Sequence, residues 1–418
     1  MTNEALKKFT ERKQRVDTAA ALGTPDRVPF VPMFNAYLLN ANGSCFKDAL
    51  YDQEKAADAA IKFYKEHPLC DMHTLIGCYS GKAQELSGNQ ILDWPGRPGT
   101  KVSDYSIYQV KEQEFMKQEE YPEMLNDWTG FMLRKYIPRL YPNLKGLSNI
   151  NFLPAVMTLT NYAIPCLCDQ EILETYRLLL EIAAEDAKAN AAFGRYNQEV
   201  TDLGVPGMCT GISGAPYDIL GDYFRGTMGL FEDLTDEDMQ EYMERACDMF
   251  ANQQIQALQY YKYVDVPVRQ VFFPLRKGVD GFMNAEQYER LYWKPLKKII
   301  MALIDMNVTP FIFCEGSYKS RLEQLTDVPK GKVIYLFENV DMKEAKRIFD
   351  GKACIMGNLP ISMLTYAKKE DVVTATRKLL DDCMPGGGYI FSFGGEIDDA
   401  LPENVDAVFE TIEKYGKY

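Results

Sequence analysis

The stretch VTPFIFCEG, residues 308–316, is an apolar run that ends on a thiol, a carboxylate and a glycine. Its dense β-branched and aromatic side chains are typical of a strand buried on both faces. Seven other short apolar runs of this kind are spread along the chain. They are VPFVPMFN (28–35), CDMHTLIG (70–77), GVPGMCTG (204–211), VRQVFFPLR (268–276), KVIYLFEN (332–339), KACIMGNLP (352–360) and GYIFSFGG (388–395).

Longer segments with helical spacing of their apolar residues separate these runs, among them residues 233–262, 284–306 and 368–384. Strands that alternate with helices pair in parallel, and eight such strands predict an α/β fold, a single closed (β/α)8 TIM barrel. The barrel would occupy residues 28–418, after an N-terminal helical extension over residues 1–27. A long insertion, about 78–203, would follow the second strand, and an insertion of that length is typical of a lid or a binding loop.

The composition excludes several classes of function. The chain has 418 residues, of which 46% are hydrophobic and 25% charged, as in a globular protein with a large core. Its net charge of −14 argues against binding to nucleic acid or to an anionic membrane. No apolar run approaches the roughly 20 residues that span a bilayer, and residues 1–22 lack the apolar core of a signal peptide. These features predict a cytoplasmic protein.

Polar residues directly after the apolar runs predict the functional site, because barrel enzymes carry their sites at the carboxyl ends of the strands. Carboxylates there need a partner, a proton or a metal, since a buried charge is costly. The residues at these predicted strand ends are Asn35, His73, Cys209, Arg276, Cys314, Glu315, Glu338, Asn358 and Glu396.

Glu315 and Glu338 end neighbouring predicted strands, so their side chains can converge on a shared metal or a shared proton. Glu315 is predicted to be a metal ligand, a general acid or a hydrogen-bond acceptor; the alternative is a structural ion pair with a neighbouring arginine or lysine. A metal site would draw on Glu315, Glu338 and Cys314. Strand alternation points Cys314 and Glu315 in opposite directions, which favours Cys314 as the residue that faces the core.

Other strand ends suggest catalytic and binding roles. His73 is one of two histidines and is a candidate proton shuttle or metal ligand, with a satisfied core histidine as the alternative. Arg276 can bind a carboxylate or phenolate substrate, or can pair with Glu315. Asn35, Asn358 and Cys209 complete the predicted substrate-binding set because of their positions at predicted strand ends.

Several longer segments of the C-terminal half resemble the uroporphyrinogen decarboxylase superfamily. They are APYDILGDYFRG (215–226), FMNAEQYERLYWKPLKKII (282–300), FENVDMKEAKRIFDGKACIMGNLP (337–360), GGGYIFSF (386–393) and LPENVDAVFETIEKYG (401–416). The resemblance implies a (β/α)8 barrel, in agreement with the strand count.

The superfamily holds decarboxylases and corrinoid-dependent methyltransferases. The decarboxylases bind a polyanionic porphyrinogen with an arginine-rich N-terminal segment, whereas residues 27–40 here carry only Arg27. The motifs APYDIL, FRG, YWKPLKK and EGSY are similar to the methyltransferase branch that includes chloromethane enzymes and O-demethylases of methoxylated aromatics.

In the coenzyme M methyltransferases of this superfamily, a His-x-Cys-Gly motif and a later cysteine bind zinc. Aligned on Gly316, this chain has Phe313 at the histidine and Glu315 at the cysteine, and residues 386–404 contain no cysteine. The ligands of a thiol-activating zinc site are therefore missing from this sequence. An oxygen-rich zinc site, as in relatives that demethylate phenyl ethers, is the alternative for a metal.

The sequence therefore predicts a methyltransferase that moves a methyl group from a methoxylated aromatic to cobalt. Neither His67 nor His73 lies in the Asp-x-His-x-x-Gly motif of corrinoid-binding modules, so the cobalamin is expected on a separate corrinoid protein. The alternatives are a decarboxylase and a non-catalytic barrel that binds a small ligand.

Overall fold

A computed structural model describes residues 1–74, 79–151, 153, 167 and 169–418. A small antiparallel pair, β1 and β2, belongs to the insertion, and six parallel strands, β3 to β8, form the main sheet in chain order. The strands are β1 (Leu92–Asp93), β2 (Gln109–Val110), β3 (Gly211–Ile212), β4 (Gln270–Leu275), β5 (Thr309–Cys314), β6 (Ile334–Phe337), β7 (Cys354–Met356) and β8 (Tyr389–Ile390).

Helices surround this sheet and fill the insertion. The α-helices in the described residues are Asn3–Ala20, Ala36–Asn40, Phe46–Tyr51, Gln53–Glu66, Gly81–Ser87, Tyr121–Asn126, Trp128–Phe131, Ile137–Leu140, Gln170–Asp202, Pro216–Ile219, Gly226–Leu234, Glu237–Leu258, Ala285–Gln287, Lys294–Asp305, Leu322–Leu325, Met342–Phe349, Ile361–Tyr366, Lys369–Cys383 and Pro402–Tyr415. Shorter 3₁₀ or π turns are Gln118–Glu120, Met132–Tyr136, Pro142–Asn149, Leu220–Arg225, Gln259–Lys262, Tyr288–Trp293 and Lys319–Arg321.

Backbone hydrogen bonds connect the two edges of the main sheet through the first two predicted strands. Phe391 donates to the carbonyl of Pro29 at 2.8 Å, which joins the last strand segment to the first. Asp71 donates to Phe30 at 2.8 Å, and His73 donates to Pro206 at 2.9 Å. The predicted α/β fold class, with parallel strands that alternate with helices, is confirmed, and the segments 28–35 and 70–74 are paired through single bridges instead of ladders.

Proline explains why the first segments do not form regular strands. Pro29, Pro32 and Pro206 have no N–H, and each removes one donor from the ladder in which a strand would take part. The apolar runs predicted as strands at 268–276, 308–316, 332–339 and 352–360 contain the observed strands β4 to β7. Of the second predicted strand, residues 75–77 lie outside the described residues, as do residues 78, 152, 154–166 and 168 of the insertion.

The main sheet separates two buried apolar layers. Phe272, Phe311 and Phe313 belong to a cluster inside the ring of strands, where Phe272 and Phe311 pack edge to face with centroids 5.2 Å apart. Ile312 and Cys314, which alternate with them along β5, belong to the larger cluster between the strands and the helices. The direction of a side chain at a strand end can therefore be read from its position in this alternation.

The N-terminal helix Asn3–Ala20 packs against the inner cluster through Val16, Ala19 and Ala20. An ion pair at 2.5 Å between Arg15 and the fully buried Asp71 holds it to the second strand segment. Among the described helices, none has both the length and the apolar character needed to cross a lipid bilayer.

Candidate active site

Six predicted residues fall in the inward-facing positions of the alternation at the carboxyl ends of the strands. Directly after β5, Glu315 continues the inward-facing positions of Phe311 and Phe313, and directly after β6, Glu338 continues those of Ile334 and Leu336. We call this face the mouth, and it is formed by Asn35, Arg276, Glu315, Glu338, Asn358 and Glu396.

Glu315 lies at the centre of the mouth and has no ion-pair or hydrogen-bond partner for its carboxylate among the described residues. Its side chain is open to solvent, but the walls of the mouth remove part of its hydration and so raise its pKa. The positive charge of Arg276 opposes this rise, while the negative charges of Glu338 and Asp222 add to it. Glu315 is therefore a carboxyl group that retains a proton more readily than an ordinary glutamate.

Glu338 is held in position by the backbone. Its Oε2 accepts a hydrogen bond of 2.5 Å from the N–H of Gly316. Gly316 adopts a φ of +87°, and a Cβ there would lie 2.8 Å from Cγ1 of Val279, so only glycine fits this turn without strain. The glycine of the CEG sequence thus positions a donor for the carboxylate of the neighbouring strand.

Glu396 occupies the mouth beside the first strand segment, where Asn35 Nδ2 donates to its Oε2 at 2.9 Å. Desolvation by the walls of the mouth, then the negative charges of Asp398 and Glu315, raise the pKa of Glu396 to about 7. The hydrogen bond from Asn35 and the charge of Arg276 oppose this shift without cancelling it. A carboxyl group with such a pKa is suited to general acid catalysis near neutral pH.

Arg276 pairs with Asp222, not with Glu315. The two atoms Arg276 Nε and Asp222 Oδ2 lie 2.9 Å apart, but no hydrogen bond of good geometry forms between them. Its Nη1 and Nη2 have no hydrogen-bond partner among the described residues, and the side chain is 40% exposed. The guanidinium therefore has N–H groups available for an oxygen atom of a substrate.

A buried carboxylate below Arg276 fixes the end of β4. Asp218 accepts the backbone N–H groups of Arg276 and Lys277 at 2.9 and 2.8 Å, and the hydroxyl of Tyr292 at 2.9 Å. Burial and the charge of Asp222 raise the pKa of Asp218 to about 6. Asp218 and Asp222 both belong to the APYDILGDYFRG segment, which contributes to the site although neither was among the predicted site residues.

Three predicted residues lie away from the mouth. Cys314 faces the helix layer, where burial raises the pKa of its thiol well above the ordinary value. His73 is fully buried; its Nδ1 lies 3.2 Å from the carbonyl of Thr74 and 3.3 Å from the hydroxyl of Tyr196, and burial lowers its pKa to about 4. Cys209 lies inside the ring, two residues before the start of β3 and well below the strand ends.

Asn358 lies in the mouth, but its side-chain amide donates its hydrogen bonds to the backbone of the protein. Its Nδ2 donates to the carbonyls of Glu338 and Val340 at 3.1 and 2.9 Å, which ties the end of β6 to the end of β7. This side chain positions the Glu338 segment, and its amide hydrogens are not free for a substrate.

Two tyrosines complete the mouth, and one of them comes from the insertion. Tyr108 is half-buried next to β2; burial and then the charge of Glu396 raise the pKa of its phenol, while Arg276 acts in the opposite sense. Tyr223 also raises the pKa of Tyr108, and its own ring is 41% exposed. Tyr223 belongs to a recognisable motif, but no sequence signal marks Tyr108, since more than 70 residues separate it from every other group of the mouth.

The arrangement does not fit the predicted zinc site. Of the three proposed ligands, Cys314 points away from the mouth and Glu338 Oε2 already accepts a backbone hydrogen bond. Within residues 1–74, 79–151, 153, 167 and 169–418, no three histidine, cysteine, aspartate or glutamate side chains are placed to hold a metal ion.

The chain is similar to known proteins in sequence and in structure. A uroporphyrinogen decarboxylase of Thioalkalivibrio sulfidiphilus is 36% identical over 78 residues, which are 18% of this chain and 22% of that protein. One of Geobacter metallireducens is 24% identical over 138 residues, 33% of this chain and 40% of that protein. The chain thus spans between about a fifth and two fifths of the length of these curated relatives.

A methyltransferase from Methanosarcina mazei has a similar structure, with a TM-score of 0.57, 14% sequence identity and coverage of 97% of this chain and 98% of that protein. This likeness extends the shared fold over nearly the whole chain. Residues 198–415, just over half of the chain, match the family described as "Uroporphyrinogen decarboxylase (URO-D)". The match includes every strand of the main sheet and most of the mouth. The chain belongs to the uroporphyrinogen decarboxylase family.

Proposed function

We propose that this protein is a methyltransferase that moves a methyl group from a small methoxylated aromatic to the cobalt of a separate corrinoid protein. One observation carries the proposal. Two carboxyl groups with raised pKa values, Glu315 and Glu396, lie at one mouth with a guanidinium, Arg276, whose Nη atoms have no partner among the described residues.

This combination suits the cleavage of an aryl methyl ether. Loss of the methyl group leaves a phenolate, which is a poor leaving group unless it is protonated or receives strong hydrogen bonds. The reduced cobalt of a corrinoid supplies the nucleophile that accepts the methyl group.

The residues of the mouth have separate roles in this reaction. Because Oε2 of Glu396 accepts the hydrogen bond from Asn35, its Oε1 holds the proton that passes to the phenolate oxygen. Arg276 donates N–H groups to the same oxygen and orients the ring. Glu315 lies beside them as a second carboxyl group that can hold a proton, and Glu338 accepts the hydrogen bond from the N–H of Gly316.

The rim of the mouth is suited to a protein that carries its corrinoid to the site. Ile212 at the end of β3 is 65% exposed, and Met228 in the following helical segment is 72% exposed. Together with Tyr223, which is 41% exposed, they are apolar side chains that a docking protein can cover. The purified chain is expected to carry no tightly bound corrinoid.

The experiment is a methyl transfer assay with the full chain. The chain is mixed with free reduced cobalamin or a reduced corrinoid protein, and with a panel of methoxylated aromatics and methylamines. Transfer is followed by the absorbance of the corrinoid and by chromatography of the demethylated phenol. The proposal fails if no donor is demethylated with either acceptor.

A charge at the rim separates docking from chemistry. Met228→Glu is expected to lower the rate with a corrinoid protein by about 10-fold, a loss of about 1.4 kcal/mol, and to leave the rate with free cobalamin unchanged. An equal loss with both acceptors would show that Met228 acts on the site itself.

Decarboxylation is the second candidate, because the matched curated relatives are named uroporphyrinogen decarboxylases. The composition of the mouth argues against decarboxylation, because its carboxyl groups would repel the carboxylates of a porphyrinogen. Incubation of the chain with uroporphyrinogen tests this function directly, and formation of a less carboxylated porphyrinogen would favour it over methyl transfer.

A further inference from the structure

The mouth contains more carboxyl groups than cationic groups. The charges of Glu338 and Asp222 raise the pKa of Glu315, and the charges of Asp398 and Glu315 raise the pKa of Glu396. These carboxyl groups therefore lie close enough to repel one another when they are ionised. The described cations close to them are Arg276 and the neighbouring Lys277. The carboxyl groups are Glu315, Glu338, Glu396, Asp398 and Asp222.

Both cations are already paired with acidic groups. Arg276 lies 2.9 Å from Asp222, and Lys277 Nζ lies 3.0 Å from the same carboxylate. Lys277 also lies 3.3 Å from Glu112 of the insertion and donates to the hydroxyl of Thr227 at 2.7 Å. Its charge is therefore neutralised below the mouth and is not available to a ligand.

Among the residues that the structure describes, the remaining carboxyl groups have no cation of their own. Glu338 is stabilised by a backbone N–H, and Glu396 by the neutral amide of Asn35. Glu315 has no ion pair in the described part of the chain. One guanidinium cannot balance these groups together with Asp222, so the field at the site of the substrate is negative.

Aromatic side chains line the same space. Tyr108 packs edge to face on Tyr79 with ring centroids 5.8 Å apart, and both come from the insertion. Tyr223 belongs to the segment after β3 and raises the pKa of the phenol of Tyr108. An aromatic ring can pack against these side chains, but a carboxylate on that ring would lie in the negative field.

Resting on the proposed function, we infer that the mouth selects methoxylated aromatics without a carboxylate and rejects those that carry one. Arg276 donates to the ether oxygen, and among the described residues no second cation without an acidic partner lies at the mouth to receive a carboxylate. The carboxyl groups of Glu315 and Glu396 are the determinants of this selectivity, and Tyr108 with Tyr223 forms the wall against which the neutral ring packs.

A matched pair of ligands tests the inference without a corrinoid. 4-Methoxybenzamide and 4-methoxybenzoate share size, ring and methoxy group, and differ in the charge of one substituent. Their binding to the full chain is measured by titration calorimetry. One additional unit of charge near the carboxyl groups predicts binding of the amide on the order of 10-fold tighter than that of the carboxylate.

Two variants identify the residues responsible. Glu315→Gln combined with Glu396→Gln keeps the size of both side chains and removes both ionisable carboxyl groups. At pH 8, where a carboxyl group with a pKa of about 7 is mostly ionised, this double variant is expected to reduce the preference to within about threefold. The control is Glu413→Gln in the last turn of helix Pro402–Tyr415, about 17 Å along the helix from its start near the mouth. This variant is expected to keep the preference of the unchanged protein.

Each outcome decides the inference. A carboxylate that binds as well as the amide, or a failure of both ligands to bind, overturns it. So does a double variant that keeps the full preference. Methyl transfer from 4-methoxybenzoate at the higher rate would overturn the inference and leave the proposed function intact. Tighter binding of the amide without any methyl transfer would support the inference and count against the proposed function.

Discussion

Replacing Glu396 with glutamine removes a titratable proton from the mouth while it keeps the size of the side chain and an oxygen that can accept from Asn35. If Glu396 Oε1 protonates the leaving phenolate, Glu396→Gln must slow methyl transfer from an ether with a poor leaving group. The same variant must have little effect on an ether whose phenolate leaves without a proton.

The magnitude follows from the pKa. With a pKa of about 7, about half of the Glu396 side chains are protonated at pH 7, against about 0.3% for the ordinary value of 4.5. Solvent access weakens the desolvation that causes this shift, but a shift of half the size would still leave about 5% protonated. A general acid contributes about 100-fold to 10,000-fold to a rate, so a loss of at least about 100-fold is expected.

The assay measures initial rates of demethylation with free reduced cobalamin as the acceptor. Methoxybenzene is the donor with the poor leaving group, and 4-nitromethoxybenzene is the activated donor. Since the acid form is the active one, the rate for methoxybenzene must fall as the pH rises through about 7. This decline must be absent in Glu396→Gln and unchanged in the distant control Glu413→Gln.

Two results would refute this role for Glu396. One is a variant that retains more than about half of the rate with methoxybenzene, because general acid catalysis would then contribute almost nothing. The other is an equal loss with both donors, which would indicate a disturbed binding site instead of a missing proton.

Three further changes test other parts of the structure. Gly316→Ala introduces a Cβ at a φ of +87° and is expected to cost about 1–2 kcal/mol and to weaken the donor to Glu338; an unchanged thermal midpoint would contradict this. Asp233→Leu leaves the buried Arg225 without the carboxylate that it meets at 2.7 Å, and chemical unfolding should show a loss of about 3–5 kcal/mol, part of which a second change, Arg225→Met, restores. His73 has a pKa lowered by burial to about 4, so the unfolded chain binds a proton more tightly and stability falls as the pH drops from 6.5 to about 4. His73→Phe should make unfolding free energy less dependent on pH in this window by up to about 3 kcal/mol, and an unaltered pH dependence would count against the assigned cause.

Local sequence patterns were sufficient to predict the strands of the main sheet from β4 to β7. A parallel strand covered on both faces requires a continuous apolar run, and such runs are visible without any knowledge of the partners of the strand. The pattern is weaker where proline interrupts it, and residues 28–35 and 70–74 form single bridges where regular strands were predicted.

Alternation along one strand was also sufficient to predict that Cys314 and Glu315 face opposite sides, since neighbouring side chains of a strand point in opposite directions. The same rule, applied to Met72 and His73, would have placed the histidine in the helix layer, where it lies. The prediction of a site role for His73 followed from its place at a predicted strand end and from the scarcity of histidine, and neither carries information about the direction of the side chain.

What the sequence alone determined was the class of fold, the family segments and the set of polar residues at the strand ends. Only the tertiary structure decided which of these residues act together. Glu396 and Asn35 are separated by 361 positions in the chain, and Tyr108 reaches the mouth from the insertion. Proximity of this kind arises from the closure of the ring of strands, and the pKa of a carboxyl group depends on all the charges that this closure brings near it.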